Sequence, residues 1–151
     1  MLVEKSPLSL DEVFIIACNL ISIPESEGAN GQINDFNIDI DFNIFNNLTT
    51  PDSKKVIVSI SGNNPENPKP GYSFSVVAQG IFKYDPGVKV KKKDKDFLIT
   101  HSAIPILIGQ IRGYISTLTA LGPYGSYLLP GINMNHLLAV KSRSHIGDEQ
   151  A

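Results

Sequence analysis

The sequence predicts an α+β domain, a four-stranded antiparallel sheet with one long and one short C-terminal helix packed on one face. Three observations carry this. Apolar residues alternate with period 2 in the first half of the chain, most cleanly from Phe36 to Ile44. From Phe97 the spacing changes to that of a helix. Every strand-like segment precedes every helix-like one, so the two kinds of element are segregated rather than interleaved.

The elements follow in order. Residues 1–12 are polar, carry Pro7 and read as a flexible leader to a single domain over 13–140. Val13–Ile23 is rich in β-branched residues and closes at Pro24, and Glu25–Gln32 is a loop. In the second strand Phe36, Ile38, Ile40, Phe42 and Ile44 alternate with Asn37, Asp39, Asp41 and Asn43, which gives one buried and one polar face. Lys55–Ser61 is a third strand, with Val56, Val58 and Ile60 on one face. Gly62–Gly71, with three prolines, is a loop. Tyr72–Tyr84 is a fourth strand, in which Gly80 marks a bulge or a close backbone approach. Lys89–Asp96 holds five lysines and two aspartates and reads as a solvated loop.

Ile104, Leu107, Ile108, Ile111, Ile115, Leu118 and Leu121 then follow helical spacing. Pro105 suits the first turn, Ser102 the N-cap, and Gly122-Pro123 the stop. A second face of this helix carries Gly109, Gly113, Ser116 and Ala120, where small residues let another helix approach, such as that of a second subunit. A short helix follows from about Asn135 to Val140, and residues 141–151 form a polar tail.

Composition narrows the function. The 151 residues include 13 basic and 15 acidic ones, for a net charge of −2, which excludes a nucleic-acid surface acting by bulk charge. Only 19% of residues are charged, below the usual ~25%, and Asn and Ser stand where charges usually stand. Cys18 is the single cysteine, so no intrachain disulfide forms and a reducing, cytoplasmic setting is expected. Ile15-Ile16-Ala17-Cys18 has the form of a lipoprotein cleavage site. The acidic segment before it makes a strand with a buried cysteine the better reading. The longest apolar stretch, Ile104–Leu121, is broken by Pro105, Gln110 and Arg112, so no membrane span is expected.

Catalytic signals are weak. His101, His136 and His145 share no metal-ligand spacing, so no metal is expected. His101 has no Ser, Cys or carboxylate in a recognisable motif with it, and no phosphate-binding loop occurs. Asp39 and Asp41 share the polar face of one strand and read as solvated charges. These features point to binding rather than catalysis: no enzyme and no cofactor.

Five segments resemble the SecB family of protein-export chaperones in their order and spacing, over about Val13 to Leu138. They are Ile21-Ser22-Ile23-Pro24-Glu25; Phe36-Asn37-Ile38-Asp39-Ile40-Asp41; Gln79-Gly80-Ile81-Phe82; the helix opening Leu107-Ile108-Gly109-Gln110-Ile111-Arg112-Gly113-Tyr114-Ile115; and Leu129-Pro130-Gly131-Ile132-Asn133-Met134-Asn135-His136-Leu137. The resemblance implies a dimer of dimers and an ATP-independent holdase that keeps client polypeptides unfolded in an apolar groove. Carried onto matching positions, the groove is Phe36, Ile38, Ile40, Phe42, Leu129, Ile132, Met134, Leu137 and Leu138. Phe74, Val76 and Ala78 match positions tied to subunit packing. The acids with which the family docks the SecA motor align with the neutral Asn19 and Ser75, and the crossover loop lacks the family's aromatic residue. That pattern argues against SecA docking and for a divergent member serving preproteins or an antitoxin-type client.

Two other readings remain open. A hot-dog-type acyl-thioester enzyme also wraps a sheet on a long helix, but it places the helix early and needs an acid near it, and residues 97–121 contain none. A small lipid-binding module would need more than four strands to close a barrel.

Overall fold

The computed structural model describes residues 1–25 and 31–149, with side chains as far as Ser144. It has the expected architecture. The strands are β1 (Leu8–Ile23), β2 (Ile38–Asn46), β3 (Ser53–Gly62) and β4 (Gly71–Tyr84). The helices are α1 (Lys92–Leu98), α2 (Ile104–Thr119) and α3 (Met134–Glu149). All neighbours are antiparallel in the order β1-β4-β3-β2, so the chain crosses from one sheet edge to the other after β1 and returns as a meander. Residues 26–30 of the expected loop lie outside the described residues.

Register explains the faces. Val58 pairs with Phe42 on one side and Ala78 on the other, and Ile60 with Ile40 and Val76. These side chains share one face. On it Val56, Val58, Ile60, Val76, Ala78 and Phe82 are fully buried beneath Ile104, Leu107, Ile111 and Ile115 of α2. Gly80 keeps its ladder partners Val13 and Val56, so it is no bulge. A Cβ there would stand 2.7 Å from the Phe82 ring and 2.8 Å from a Leu107 methyl. Gly80 is the point where α2 comes down closest on the sheet.

Several boundaries differ from expectation. β1 begins at Leu8, inside the expected leader, because β4 runs on to Tyr84 and pairs with it. Irregularities between Leu10 and Glu12 and between Ile15 and Ala17 break the period-2 pattern there. Helical structure starts at Lys92, within the expected lysine loop. Lysine is a good helix former, and Tyr84 anchors the segment by donating a 2.8 Å hydrogen bond to the Lys95 carbonyl. Ser102 is therefore no N-cap. It lies in a π-helical turn, Ile99–Ala103, whose widened spacing accommodates Pro105, which has no N–H to give. At the other end of α2 the buried stripe passes from Ile115 to Thr119, leaving Leu118 and Leu121 exposed. α3 starts at Met134, with the Asn133 side chain accepting the His136 N–H, and continues through most of the expected tail.

Candidate polypeptide-binding groove

β2 is an edge strand, so its apolar row has a packed neighbour on one side only. Ile38, Ile40, Phe42 and Ile44 lie on the helix-covered face, opposite Gly62, Ile60, Val58 and Val56. Phe42 is buried, Ile38 and Ile40 are half-buried, and Ile44 is 37% exposed. Phe36 precedes the strand and lies over Gly62, where a Cβ would stand 2.7 Å from its ring. Its ring meets Phe74 edge-on at 6.1 Å and Tyr127 at 5.8 Å, and Tyr127 in turn lies 5.5 Å from Phe74. Such pairs add to what burial alone contributes.

Polar bonds lock the connector between α2 and α3 onto the core. Arg112 donates to the carbonyls of Leu129 and Pro130 at 3.0 and 3.2 Å. The Thr119 hydroxyl accepts the Tyr127 N–H at 2.7 Å, and Ser116 bonds Ser126 at 2.7 Å. Tyr72 donates to the Gly125 carbonyl and accepts the Tyr124 N–H. Tyr124 donates to the Ile23 carbonyl at the end of β1. Burial raises the Tyr127 hydroxyl above its ordinary value near 10. With the connector held, Leu129 is buried, and Ile132, Met134, Leu137 and Leu138 pack half-buried against the core. One α3 side chain closes over β2: Lys141 places its ammonium 2.6 Å from Asp41 and 5.5 Å from the centre of the Phe42 ring.

The nine residues expected in the groove therefore lie along β2, the connector and α3. Phe42 and Leu129 belong to the core, and the other seven are half-buried against it. The connector anchors Arg112, Thr119, Tyr72, Tyr124 and Tyr127 were not anticipated. Thr119 among the apolar residues of α2, and Tyr124 and Tyr127 after it, are the sequence signals that mark them.

Other expectations require correction. Phe74, Val76 and Ala78 are 4%, 0% and 0% exposed within this one chain, on an interior strand beneath α2. Their side chains are spent on this chain's own core and offer no surface to a partner. Gly109 and Gly113 on α2 and Ala120 just past its end are exposed, whereas Ser116 bonds the connector. Gly109 and Gly113 open a trough of about 580 Å3 between α2 and Val13 and Ile15 of β1. Cys18 is exposed, not buried, because β1 is the other sheet edge. Its neighbouring thiol holds the Tyr114 hydroxyl above the usual value. Asp41 is not simply solvated, since it pairs with Lys141.

On the opposite sheet face Asn19 and Ser75 are ladder partners. They line a pocket of about 480 Å3 in which, among the described residues, Asp39 is the one carboxylate. His101 stacks on Phe97 at 4.0 Å and meets the Thr100 hydroxyl, and among the described residues no carboxylate pairs with it. Among the described residues, no three His, Cys, Asp or Glu side chains converge as metal ligands. None of the described helices is long and apolar enough to cross a membrane.

No protein-family model and no curated protein sequence matches the chain. Solved structures do. The Mycobacterium tuberculosis SecB-like chaperone, solved in complex with a ChAD peptide from the HigA1 antitoxin, superposes with a TM-score of 0.55 at 12% identity. The match covers 83% of this chain and 91% of that one. This chain has a distant SecB-like fold. A Streptococcus agalactiae protein of unknown function matches at a TM-score of 0.44 and 11% identity, over 82% of this chain and 97% of that one.

Proposed function

We propose that this chain is an ATP-independent holdase that binds unfolded polypeptides along β2, the connector and α3, and performs no turnover. The observation that carries the reading is the half-buried apolar row of Ile38 and Ile40 on a sheet edge, with Leu137 and Leu138 of α3 half-buried against the same core. An unfolded client exposes apolar side chains, and burying them on such a row is favourable without any sequence code. An edge strand also offers unpaired backbone groups to an extended chain. The SecB-like structural neighbour in complex with an antitoxin peptide supports polypeptide clients; the clients are taken to be preproteins or an antitoxin-type chain. The neutral Asn19 and Ser75 speak against SecA docking.

The same reading takes the protein to be a cytoplasmic homo-oligomer, a dimer or a dimer of dimers. Support comes from the other edge. β1 is sixteen residues long, with Val13, Phe14 and Ile16 39–54% exposed, beside the open glycines of α2. A long apolar edge seeks a partner.

The test is suppression of aggregation of a chemically unfolded client without nucleotide, with the oligomer mass measured in parallel by light scattering. Suppression at stoichiometric chaperone is expected. A monomer that leaves aggregation unchanged contradicts the reading.

A further inference from the structure

The apolar row of β2 runs on beyond Phe42 and Lys141. Ile44 opens into a pocket of about 200 Å3 lined by Lys54, Asp96, Ile99 and Thr100. A second pocket of about 220 Å3 shares Lys54 and Asp96 and adds Lys92 and Lys95 from α1. Over residues 83–96 six lysines stand against three aspartates, in a chain whose net charge is −2. Lys95 is paired with Asp52 at 3.5 Å and Lys54 donates to the Asn46 side chain. Among the described residues, Lys89, Lys91, Lys92 and Lys93 make no ion pair with Asp94, Asp96 or any other acid. The apolar track thus ends in a positive field, which an exposed cluster projects over about a Debye length.

We propose that the client segment is apolar along β2 and acidic where it leaves the strand, so that its Asp or Glu residues lie against Lys54, Lys92 and the exposed lysines beside them. The proposal deepens the holdase reading and rests on it. Charge at this end selects clients and speeds their capture, while the apolar row supplies the grip.

Three labelled peptides with one common Leu/Ile/Phe core, followed by a run of Glu, Gln or Lys, test it on the full chain by fluorescence anisotropy. At low salt the Glu peptide is expected to bind roughly tenfold more tightly than the Lys peptide. The preference is expected to vanish at about 0.5 M salt and in a Lys54→Gln/Lys92→Gln/Lys93→Gln variant, with binding of the Gln peptide unchanged. Equal affinities, a preference for Lys, or a preference that survives in the variant overturns the proposal and leaves the holdase reading standing. Failure of all three peptides overturns both. Displacement of the Glu peptide by an equal concentration of a thymidine oligonucleotide assigns the basic end to nucleic acid and overturns the proposal alone.

Discussion

Two strips of the same sheet face are covered to different degrees. Over β3 and β4, α2 presses down until Val56, Val58, Val76, Leu107 and Ile111 are all at 0% exposure. Along β2 and α3, which meet through Lys141, Ile38, Ile40, Leu137 and Leu138 are only half-buried. Dense packing leaves no room for a ligand and supplies the stability of the fold. Partial cover leaves apolar area that a second chain can bury, at the cost of a weaker local structure. The difference arises from the elements themselves. α2 carries a clean apolar stripe and meets the sheet at a glycine, whereas α3 mixes Leu137 and Leu138 with Asn135, His136, Lys141 and Arg143 and has no such stripe.

The sharpest way to break this contrast is to empty the dense strip. Leu107→Ala removes a fully buried side chain and is expected to cost about 2–5 kcal/mol in stability, measured by denaturant unfolding. A loss below about 1 kcal/mol would mean that the strip is not the core. On the loose strip, Ile40→Ser combined with Leu137→Ser is expected to cost about 1 kcal/mol in stability and to weaken binding of an unfolded client tenfold or more. Unchanged affinity, read by anisotropy, would remove β2 and α3 from the groove.

Gly113→Leu sharpens the comparison at the other edge. A Cβ at Gly113 meets nothing within 4 Å, and the side chain extends into the open trough beside β1, so the folded chain is expected to keep its stability, with a gain in helix propensity on the order of 1 kcal/mol. The oligomer mass by light scattering is expected to fall. A full-mass oligomer would place the subunit contact elsewhere.

The smallest expected effect is alkaline. Burial, and then the charge of Asp96, pushes the Tyr84 hydroxyl up from 10.0 to about 12. A group whose pKa is raised in the folded state holds its proton longer than in the unfolded chain. Its stabilisation is complete below pH 10 and is lost as the pH rises toward about 12. Stability in Tyr84→Phe is expected to fall less over that window than in the native chain. Identical slopes would dissociate Tyr84 from the alkaline transition.

Where one period dominates, the sequence was legible. The alternation from Phe36 to Ile44 and the stripe from Ile104 to Ile115 placed β2 and α2, and with β2 its apolar row. Legibility failed where two signals conflict. The extra residues around Asp11 and Ile16 hid the first third of β1. The charge of the lysine run hid the helix propensity that forms α1. Phe74, Val76 and Ala78 show no local difference between a core residue and a subunit contact, because both demand apolar side chains on one strand face. The order of the connector leaves no periodic trace, because it comes from long-range hydrogen bonds of Tyr72, Arg112 and Thr119.

Backbone amide exchange, compared with and without a saturating unfolded client, tests the central claim most directly. Slower exchange is expected along β2, residues 38–46, and along α3, with β3 and β4 unchanged because they are already buried. Protection confined to β1 or to the face bearing Asn19 and Ser75, with β2 and α3 exchanging as before, would contradict it.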